Sequence, residues 1–199
     1  MNIQIISKIR KAALSDAADL AKLIDIAGEG IPSWLWRQNN SLSQNPLDIG
    51  EERARRTSGC FSFANAHVFE HSTSVLGMVL SYPIDEVAEA NPDDLPDPVA
   101  PFIELEKHSV GTWYVNALAV FAGHRGCGLG TQLLSAAEGK ATASGYSRMS
   151  IQVYAQNTGA VRLYEQRGYE VTARSKVRLH PCQPYYTGDV LLMLKTLTY

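Results

Sequence analysis

The sequence has few cysteines and no long apolar run. Its three cysteines, Cys60, Cys127 and Cys182, are odd in number and widely spaced, so neither a disulfide framework nor a zinc site is predicted. No apolar stretch approaches the roughly 20 residues of a membrane helix. The N-terminus MNIQIISKIRKAA places its charges after its apolar residues, unlike a signal peptide. These absences predict a cytoplasmic protein with no membrane partner.

The sequence also lacks a large excess of positive or negative charge. The chain carries 18 Lys and Arg against 20 Asp and Glu, a formal charge of −2, which gives no electrostatic reason to expect nucleic acid as a partner. With 199 residues, 45% of them hydrophobic, the chain is long enough for one domain with a full core and too short to need two. We therefore predict a single domain over residues 1–199.

The most informative stretch is glycine-rich and runs from Trp113 to Leu134. Its first part, Trp113–Phe121, is aromatic, β-branched and almost uncharged, which predicts a buried strand. Gly126, Gly128 and Gly130 follow, just before an apolar pattern at helical spacing. Glycines let backbone N–H groups turn towards a ligand, and a helix N-terminus adds unpaired donors and the positive end of the dipole. The stretch therefore predicts a site for an anion such as a pyrophosphate.

Two common phosphate-binding loops do not fit this stretch. A P-loop, G-x-x-x-x-G-K-[ST], would need a Lys and a hydroxyl where Leu129 and Gly130 stand. A dinucleotide fingerprint, G-x-G-x-x-G, would need its third glycine where Thr131 or Leu133 stands, which disfavours a dinucleotide-binding oxidoreductase. The pattern that does fit is R-x-x-G-x-G, beginning at Arg125.

The segment Arg125–Gly130 resembles the pyrophosphate-binding motif of the GNAT superfamily of acyl-CoA-dependent N-acyltransferases. A second segment, Asn157–Tyr169, resembles the family signature N-x-x-A-x-x-[LF]-Y-x-x-x-G-[FY]. It matches at Asn157, Ala160, Leu163, Tyr164, Gly168 and Tyr169. The two motifs come in the order typical of the family, each after a predicted strand. The resemblance covers nearly the whole chain and is weakest in an acidic, proline-rich insertion at about 83–111.

The remaining patterns give the order of elements. Strands are predicted over Ile3–Arg10, Phe61–Glu70, Ser74–Tyr82, Trp113–Phe121, Arg148–Tyr154, Tyr169–Val177 and Asp189–Leu197. Helices are predicted from an N-cap at Ser15 or Asp16 to Gly28, once or twice within Pro32–Thr57 around a loop at Asn39–Pro46, over about 101–107, up to Ser144, and between Asn157 and Gly168. Hairpins and strand–helix–strand units together predict a mixed α/β sheet. Trp34 and Trp36 are expected to pack in the core or a lid, the alternative being a wall that contacts the substrate.

The resemblance implies a GNAT-like, mostly antiparallel sheet of about seven strands, splayed between the fourth and fifth strands and flanked by helices. Pantetheine would bind the exposed backbone of the fourth strand as another strand would. Acetyl-CoA is then the co-substrate, and no metal is implied. The residues that the resemblance assigns to the cofactor are Leu118, Ala119, Val120, Arg125, Gly126, Cys127, Gly128, Leu129, Gly130, Thr131, Asn157 and Tyr164.

Several of these residues have a second interpretation. Leu118 and Val120 share one face of the strand, so their side chains are also expected to pack in the core. Arg125 either contacts phosphate directly or is a solvated turn residue. Cys127 is expected to contribute its backbone, because the sequence places no base beside its thiol.

The resemblance also implies that an amine attacks the thioester directly in a ternary complex. Tyr164 stands at the position of the family's general acid and would protonate the departing thiolate, the alternative being a tyrosine that only packs against the cofactor. Asn116 stands where many relatives carry a glutamate base, and an amide cannot accept a proton usefully. Glu104 is the first candidate for the base. Glu106, His108, or a water chain held by Asn116 and Tyr114 remain open.

The acceptor is predicted less sharply than the cofactor. Glu104 and His108 have helical i, i+4 spacing and could share one face, and the surrounding insertion is rich in carboxylates, including Glu89, Asp93 and Asp94. It is either a solvated insertion or the lining of a site for a cationic amine, small or peptidyl. The missing strand carboxylate also motivates a non-catalytic acyl-CoA-binding sensor or scaffold. Homodimers are common among similar proteins, so a homodimer is compatible with the resemblance.

Overall fold

The computed structural model describes residues 7–38, 44–86, 96–184 and 187–198. The strands there are β1 (Ser7–Lys11), β2 (Ala66–His71), β3 (Ser74–Ile84), β4 (Thr112–Val120), β5 (Arg148–Tyr154), β6 (Glu170–Lys176) and β7 (Asp189–Thr196). The α-helices are α1 (Ala17–Ala27), α2 (Ile31–Gln38), α3 (Pro46–Ala54), α4 (Ala100–Glu106), α5 (Leu129–Ala143) and α6 (Thr158–Gln166). The predicted strand start at Ile3, most of the predicted loop at Asn39–Pro46, and the acidic residues Glu89, Asp93 and Asp94 lie outside the described residues.

The strands form a mixed seven-stranded sheet in the order β1-β2-β3-β4-β5-β7-β6. The pairs β1/β2, β2/β3, β5/β7 and β6/β7 are antiparallel, whereas β4 and β5 are parallel. The mixed, mostly antiparallel sheet is therefore confirmed. The parallel register joins Trp113–Val115 to Met149–Ile151, and β4 then runs on to Val120. The pairing thus ends early, as the resemblance implies for a splayed pair.

The chain divides into two compact units. Unit 1 comprises the described parts of Met1–Ser81 and Ala117–Ala137, and unit 2 those of Tyr82–Asn116 and Glu138–Tyr199. The boundaries fall within β3, β4 and α5. The single N-acetyltransferase domain expected over residues 1–199 stays a prediction.

The core of unit 1 lies where its helices pack on its strands. Leu20, Leu23 and Ile24 recur at helical spacing on α1 and are buried in one cluster with strand residues such as Met78. Trp36 of α2 belongs to the same cluster, which confirms its expected core packing. Its ring lies over Gly50 of α3, so a side chain at Gly50 would overlap it.

The start of α1 differs from the prediction. Asp16 occupies the N-cap position and Ser15 lies in a short 3-10 turn, but neither side chain caps the helix. Instead, the Asp16 carboxylate accepts hydrogen bonds from the Arg10 guanidinium at 2.7 and 3.0 Å and from the Ala13 N–H at 2.7 Å. Arg10 also donates to Glu70 on β2 at 2.9 Å. The Arg10 guanidinium thus binds both oxygens of the carboxylate, which turns back to β1, and Arg10 lowers the pKa of Asp16.

The second strand starts later than predicted. The predicted strand began at Phe61, but β2 begins at Ala66, and Phe63–Asn65 forms a 3-10 turn. The Ser62 hydroxyl accepts the Ala64 N–H at 3.0 Å, which favours the turn over an extended chain. The β2–β3 hairpin itself is confirmed.

Unit 2 is built around β5 and β7. Met149, Ile151 and Val153 of β5 and Val190–Met193 of β7 are buried. Between these strands and the helices lies a buried carboxylate, Glu138 of α5. It accepts hydrogen bonds from Arg167 at 2.6 Å and from Lys195 of β7 at 2.8 Å. Both cations are part-buried, so the single negative charge of Glu138 is paired with two cations away from bulk water.

None of the described helices is both long and apolar enough to cross a membrane.

Candidate functional site

The last residues of β4 present two different faces. Ala117 and Ala119 are buried in the core cluster of unit 1, whereas Leu118 and Val120 are only half-buried. A Cβ on Gly77 would lie 3.0 Å from Cγ2 of Val120 and 3.2 Å from Cδ1 of the buried Leu133 of α5, so Val120 lies beside a core side chain. The expected core packing of Leu118 stays a prediction. Strand side chains alternate between faces, and the small alanines occupy the face that meets the helices of the cluster.

The backbone of the same residues also has two sides. The Ala119 carbonyl oxygen lies 2.8 Å from the position of a Cβ on Gly77 of β3, and the Phe121 N–H donates to the Leu76 carbonyl of β3 at 2.9 Å. In an extended chain, the N–H and C=O of neighbouring residues point to opposite edges. The backbone groups of Leu118 and Val120 therefore point to the edge away from β3. These are the groups that the resemblance assigns to pantetheine.

The glycine loop (Arg125–Thr131) follows β4 after a 3-10 turn at Ala122–His124. Gly126 has φ 78° and Gly128 has φ 77°, which is the left-handed region that disfavours residues with a Cβ. A Cβ placed at either glycine meets nothing within 4 Å among the described residues. The glycines are therefore required by backbone conformation and not by crowding, and the space beside them is open.

The end of the glycine loop is the first turn of α5. The N–H of Gln132 donates to the Gly128 carbonyl at 3.2 Å, the first bond of the helix. The N–H groups of Leu129, Gly130 and Thr131 precede it and have no intrahelical acceptor by helix geometry. Together with the helix dipole, they form a set of donors suited to an anion such as a pyrophosphate. Gly130 thus belongs to the helix and not to the left-handed turn.

Two side chains of the glycine loop lie on its surface. Arg125 is exposed, and its Nε–H donates to the Val120 carbonyl at 3.0 Å. Cys127 is exposed, and its Sγ lies 3.7 Å from the Arg125 carbonyl oxygen. Within the described ranges, no three His, Cys, Asp or Glu side chains form a group that could hold a metal ion.

Asn157 lies in unit 2 and caps α6. Its Oδ1 accepts the Ala160 N–H at 3.2 Å, so the first residue of the second motif holds the start of its own helix. An Asn directly before an apolar helical pattern is a common N-cap signal, so the sequence could have given this role. Any contact of Asn157 with a cofactor would have to be made in addition to this hydrogen bond.

Tyr164 is buried on α6 and is only 6% exposed. Burial raises the pKa of its phenol, because the charged phenolate is poorly solvated there. Its ring lies 6.1 Å from that of Tyr169, centroid to centroid. The phenol is therefore neutral at physiological pH and can donate a proton, but the raised pKa makes it a weaker acid than an exposed tyrosine.

The base candidates lie on and just after α4 in unit 2. Glu104 is exposed, and its Oε2 accepts the Ser175 hydroxyl of β6 at 2.6 Å. Glu106 is half-buried, and burial raises the pKa of its carboxyl. The helix ends at Glu106, and Lys107–Ser109 is a 3-10 turn. His108 therefore lies in the 3-10 turn and not in the α-helix that carries Glu104, and the expectation that the two share one face stays a prediction.

Sequence reasoning missed a buried polar network next to α4. The Tyr154 hydroxyl donates to Oε1 of Gln183 at 2.7 Å, and Gln183 is 2% exposed. Phe102 of α4 packs edge-on against Tyr154 with 5.3 Å between the ring centroids, and its carbonyl accepts from Gln152 of β5 at 3.1 Å. These partners are 29 to 52 residues apart, and no local pattern marks such pairs.

The structure groups the predicted site residues by unit. Leu118–Val120 and the glycine loop lie in unit 1, while Glu104, Asn157 and Tyr164 lie in unit 2. Each group has the local geometry described above.

Comparison with known proteins agrees with both motifs. A model of the acetyltransferase (GNAT) family matches residues 29–169. No curated protein matches the chain. An N-acetyltransferase from Staphylococcus aureus Mu50 has a solved structure with 19% identity and a TM-score of 0.66, covering 94% of this chain and 100% of its own.

Two further solved structures are similar over nearly their whole length. The structure of yncA from Salmonella typhimurium, described with its cofactor acetyl-CoA, is 21% identical with a TM-score of 0.60 and covers 98% of this chain and 95% of its own. A ribosomal-protein-alanine N-acetyltransferase from Brucella melitensis is 20% identical with a TM-score of 0.60 and covers 96% of this chain and 99% of its own. These likenesses show that the chain has the same fold.

Proposed function

Because the chain belongs to the acetyltransferase (GNAT) family, we propose that it transfers the acetyl group of acetyl-CoA to a primary amine. The observation that carries the proposal is the glycine loop, with two left-handed glycines directly before the free N–H groups of α5. That arrangement fits a pyrophosphate, and the family's cofactor contains one. The residues present therefore fit acetyl-CoA.

The cofactor would be held mainly by backbone groups. The N–H groups of Leu129, Gly130 and Thr131 would bind the pyrophosphate, and the backbone of Leu118 and Val120 would pair with pantetheine. Acetyl-CoA supplies an activated acyl carbon and a thiolate leaving group. Because these contacts are backbone contacts, they depend on the conformation of the chain more than on the identity of most side chains.

Tyr164 is proposed as the general acid. In the transfer, the C–N bond to the acceptor forms and the C–S bond breaks, so the sulfur gains a negative charge unless it is protonated. The buried phenol of Tyr164 would donate that proton; burial raises its pKa, so it is protonated at neutral pH but is a weaker acid than an exposed tyrosine. The proton lost by the acceptor amine would go to a separate base.

Two carboxylates of α4 compete for the role of base. An alkyl amine with a pKa near 10.4 is mostly protonated at neutral pH and must lose a proton before it attacks. Glu104, the residue expected from the sequence, is oriented by Ser175 at 2.6 Å. Glu106 is favoured by its half-buried carboxyl, whose raised pKa lies closer to neutral and makes it a better proton acceptor. We propose that one of these two accepts the proton.

The acceptor is proposed to be a cationic amine, small or peptidyl. In the described part of unit 2, Asp85, Glu86 and Asp97 precede α4 in the sequence and Glu104 lies on it; all four are exposed, and Asp97 lies 3.6 Å from Arg178. Exposed carboxylates attract cations and disfavour anionic acceptors. The Brucella melitensis neighbour, named for a protein substrate, supports the inclusion of peptide N-termini among the candidates.

The decisive experiment measures free thiol released from acetyl-CoA in the presence of polyamines, amino acids, aminoglycosides and peptides with free N-termini. We expect release that depends on both substrates and rises with the positive charge of the acceptor.

The observation that favours a different function is Asn116, which stands on β4 where a carboxylate base would be expected. Binding of acetyl-CoA without thiol release across the whole panel would favour a non-catalytic acyl-CoA sensor or scaffold.

A further inference from the structure

The side chain of Arg125 is hydrogen-bonded to the end of β4. Its Nε–H donates to the carbonyl oxygen of Val120 at 3.0 Å. The chain between the two residues contains the 3-10 turn Ala122–His124, so the hydrogen bond closes this turn from outside. It ties the first residue of the glycine loop to the last residue of the strand.

The Val120 carbonyl has a particular place on the strand. Ala119 faces β3 through its carbonyl, and Phe121 bonds β3 through its N–H. The carbonyl of Val120 therefore points to the opposite edge, in line with the backbone of Leu118. That edge is where an additional strand, or a strand-like ligand, would find its next acceptor. Arg125 supplies a donor to this acceptor from within the chain.

We propose that Arg125 is a positioning residue that acts through Val120 and not through its charge. Its hydrogen bond ends the row of strand acceptors at Val120 and sets the direction in which the chain enters the glycine loop. The backbone of Leu118 and the N–H of Val120 then remain for pantetheine, and the phosphates are bound by backbone N–H groups. The inference rests on the proposed function, since it concerns the same cofactor.

Three substitutions separate the hydrogen bond from the charge. Gln has its amide nitrogen the same number of bonds from Cα as Nε of Arg, so Arg125→Gln keeps the donor without the charge. Arg125→Lys keeps the charge but places its nitrogen one bond farther out. Arg125→Met keeps neither. Arg56→Gln, at an exposed arginine of unit 1, is the control for loss of one positive charge.

The first measurement is the Kd for CoA by calorimetry at several salt concentrations. We expect Arg125→Gln to match the wild-type Kd and its salt dependence, and Arg125→Met to bind about five- to tenfold more weakly. A direct charge contact predicts a different pattern, in which only Arg125→Lys keeps the wild-type Kd. Wild-type affinity in Arg125→Lys, combined with equal losses and a weaker salt dependence in the Gln and Met variants, would overturn the proposal.

The second measurement needs no cofactor and therefore separates this inference from the proposed function. Amide hydrogen exchange in the ligand-free protein reports the order of residues 126–131. We expect faster exchange there in Arg125→Met but not in Arg125→Gln or Arg56→Gln. Unchanged exchange in Arg125→Met would contradict the positioning role. If the wild type shows no CoA binding, the proposed function fails, while the exchange data still decide the role of Arg125.

Discussion

The glycine loop of unit 1 and the α4 segment of unit 2 carry their chemistry in different ways. The loop offers backbone N–H groups fixed by Gly126 and Gly128 in the left-handed region. The α4 segment offers side-chain carboxylates, Glu104 and Glu106, whose properties depend on neighbours such as Ser175 and on burial. A site made of backbone groups can be recognised from the positions of glycines in a local motif. A side-chain site depends on distant partners, and this is why the cofactor can be inferred from motifs and the base cannot.

The largest expected effect concerns Tyr164. Tyr164→Phe keeps the buried ring and removes the hydroxyl, so the thiolate loses its proton donor. We expect kcat, measured by thiol release, to fall between about 100- and 1,000-fold. The Kd for acetyl-CoA, measured by calorimetry, should not change. Tyr146→Phe, which removes the hydroxyl bonded to Asp85 at 2.8 Å, is the matched control and should leave kcat unchanged. A wild-type kcat in Tyr164→Phe would remove the acid role.

The next effect decides between the two carboxylates of α4. For the true base, substitution by Gln should lower kcat/KM about 100-fold. Burial raises the pKa of Glu106, and a base must be deprotonated, so with Glu106 as base the activity rises with pH through a pKa above the ordinary range of glutamate. Glu106→Gln would abolish this acidic limb. Glu104→Gln should abolish the acidic limb only if Glu104 is the base. If both variants are active and keep the acidic limb of the pH profile, neither carboxylate is the base.

A smaller effect tests the backbone site. At Gly128, alanine would occupy φ 77°, a conformation that costs about 1–2 kcal/mol with a Cβ, or about tenfold in affinity. We expect Gly128→Ala to raise the Kd for CoA by that factor in calorimetry. Gly123 also has open space around it but no left-handed φ, so Gly123→Ala is the control and should bind normally. Equal binding by both variants would show that the left-handed turn does not hold the cofactor.

The smallest effect concerns the cap of α6. Asn157→Ala removes the bond from Oδ1 to the Ala160 N–H and should lower the free energy of unfolding by about 1 kcal/mol in urea. Asn157→Asp and Asn157→Ser keep an acceptor and should retain most of that stability. If Asn157→Ser is stable but binds CoA more weakly, the residue has the cofactor role expected from the resemblance as well as the cap. Unchanged stability in Asn157→Ala would mean that the cap contributes nothing.

Much of the fold could be predicted from local patterns. The β2–β3 hairpin, α6 between Asn157 and Gly168, and the exact range of β5 all follow from periodicity and turn residues. The errors occur where a distant partner decides. Asp16 does not cap α1 because the Arg10 guanidinium binds its carboxylate.

The candidate site shows the same division. Gly126, Gly128 and the start of α5 were predictable, because their conformation follows from residue types at fixed spacing. The hydrogen bond from Arg125 to Val120 could not be predicted, because the same sequence is compatible with a solvated turn residue and with a phosphate contact. The hydrogen bond between Glu104 and Ser175 joins residues 71 positions apart and leaves no local signal.

The carboxylate of Glu138 limits how this chain can change over time. Its two cations, Arg167 and Lys195, lie on different parts of the chain, and both pair with the same carboxylate. Loss of either cation leaves Glu138 paired with the other, whereas loss of Glu138 leaves two part-buried cations without this partner. A lineage can therefore exchange one cation at a time but not lose the carboxylate first, and diverged relatives should lack one cation more often than they lack the carboxylate while keeping both cations. The three positions would then serve as a marker of descent that owes nothing to the chemistry of the active site.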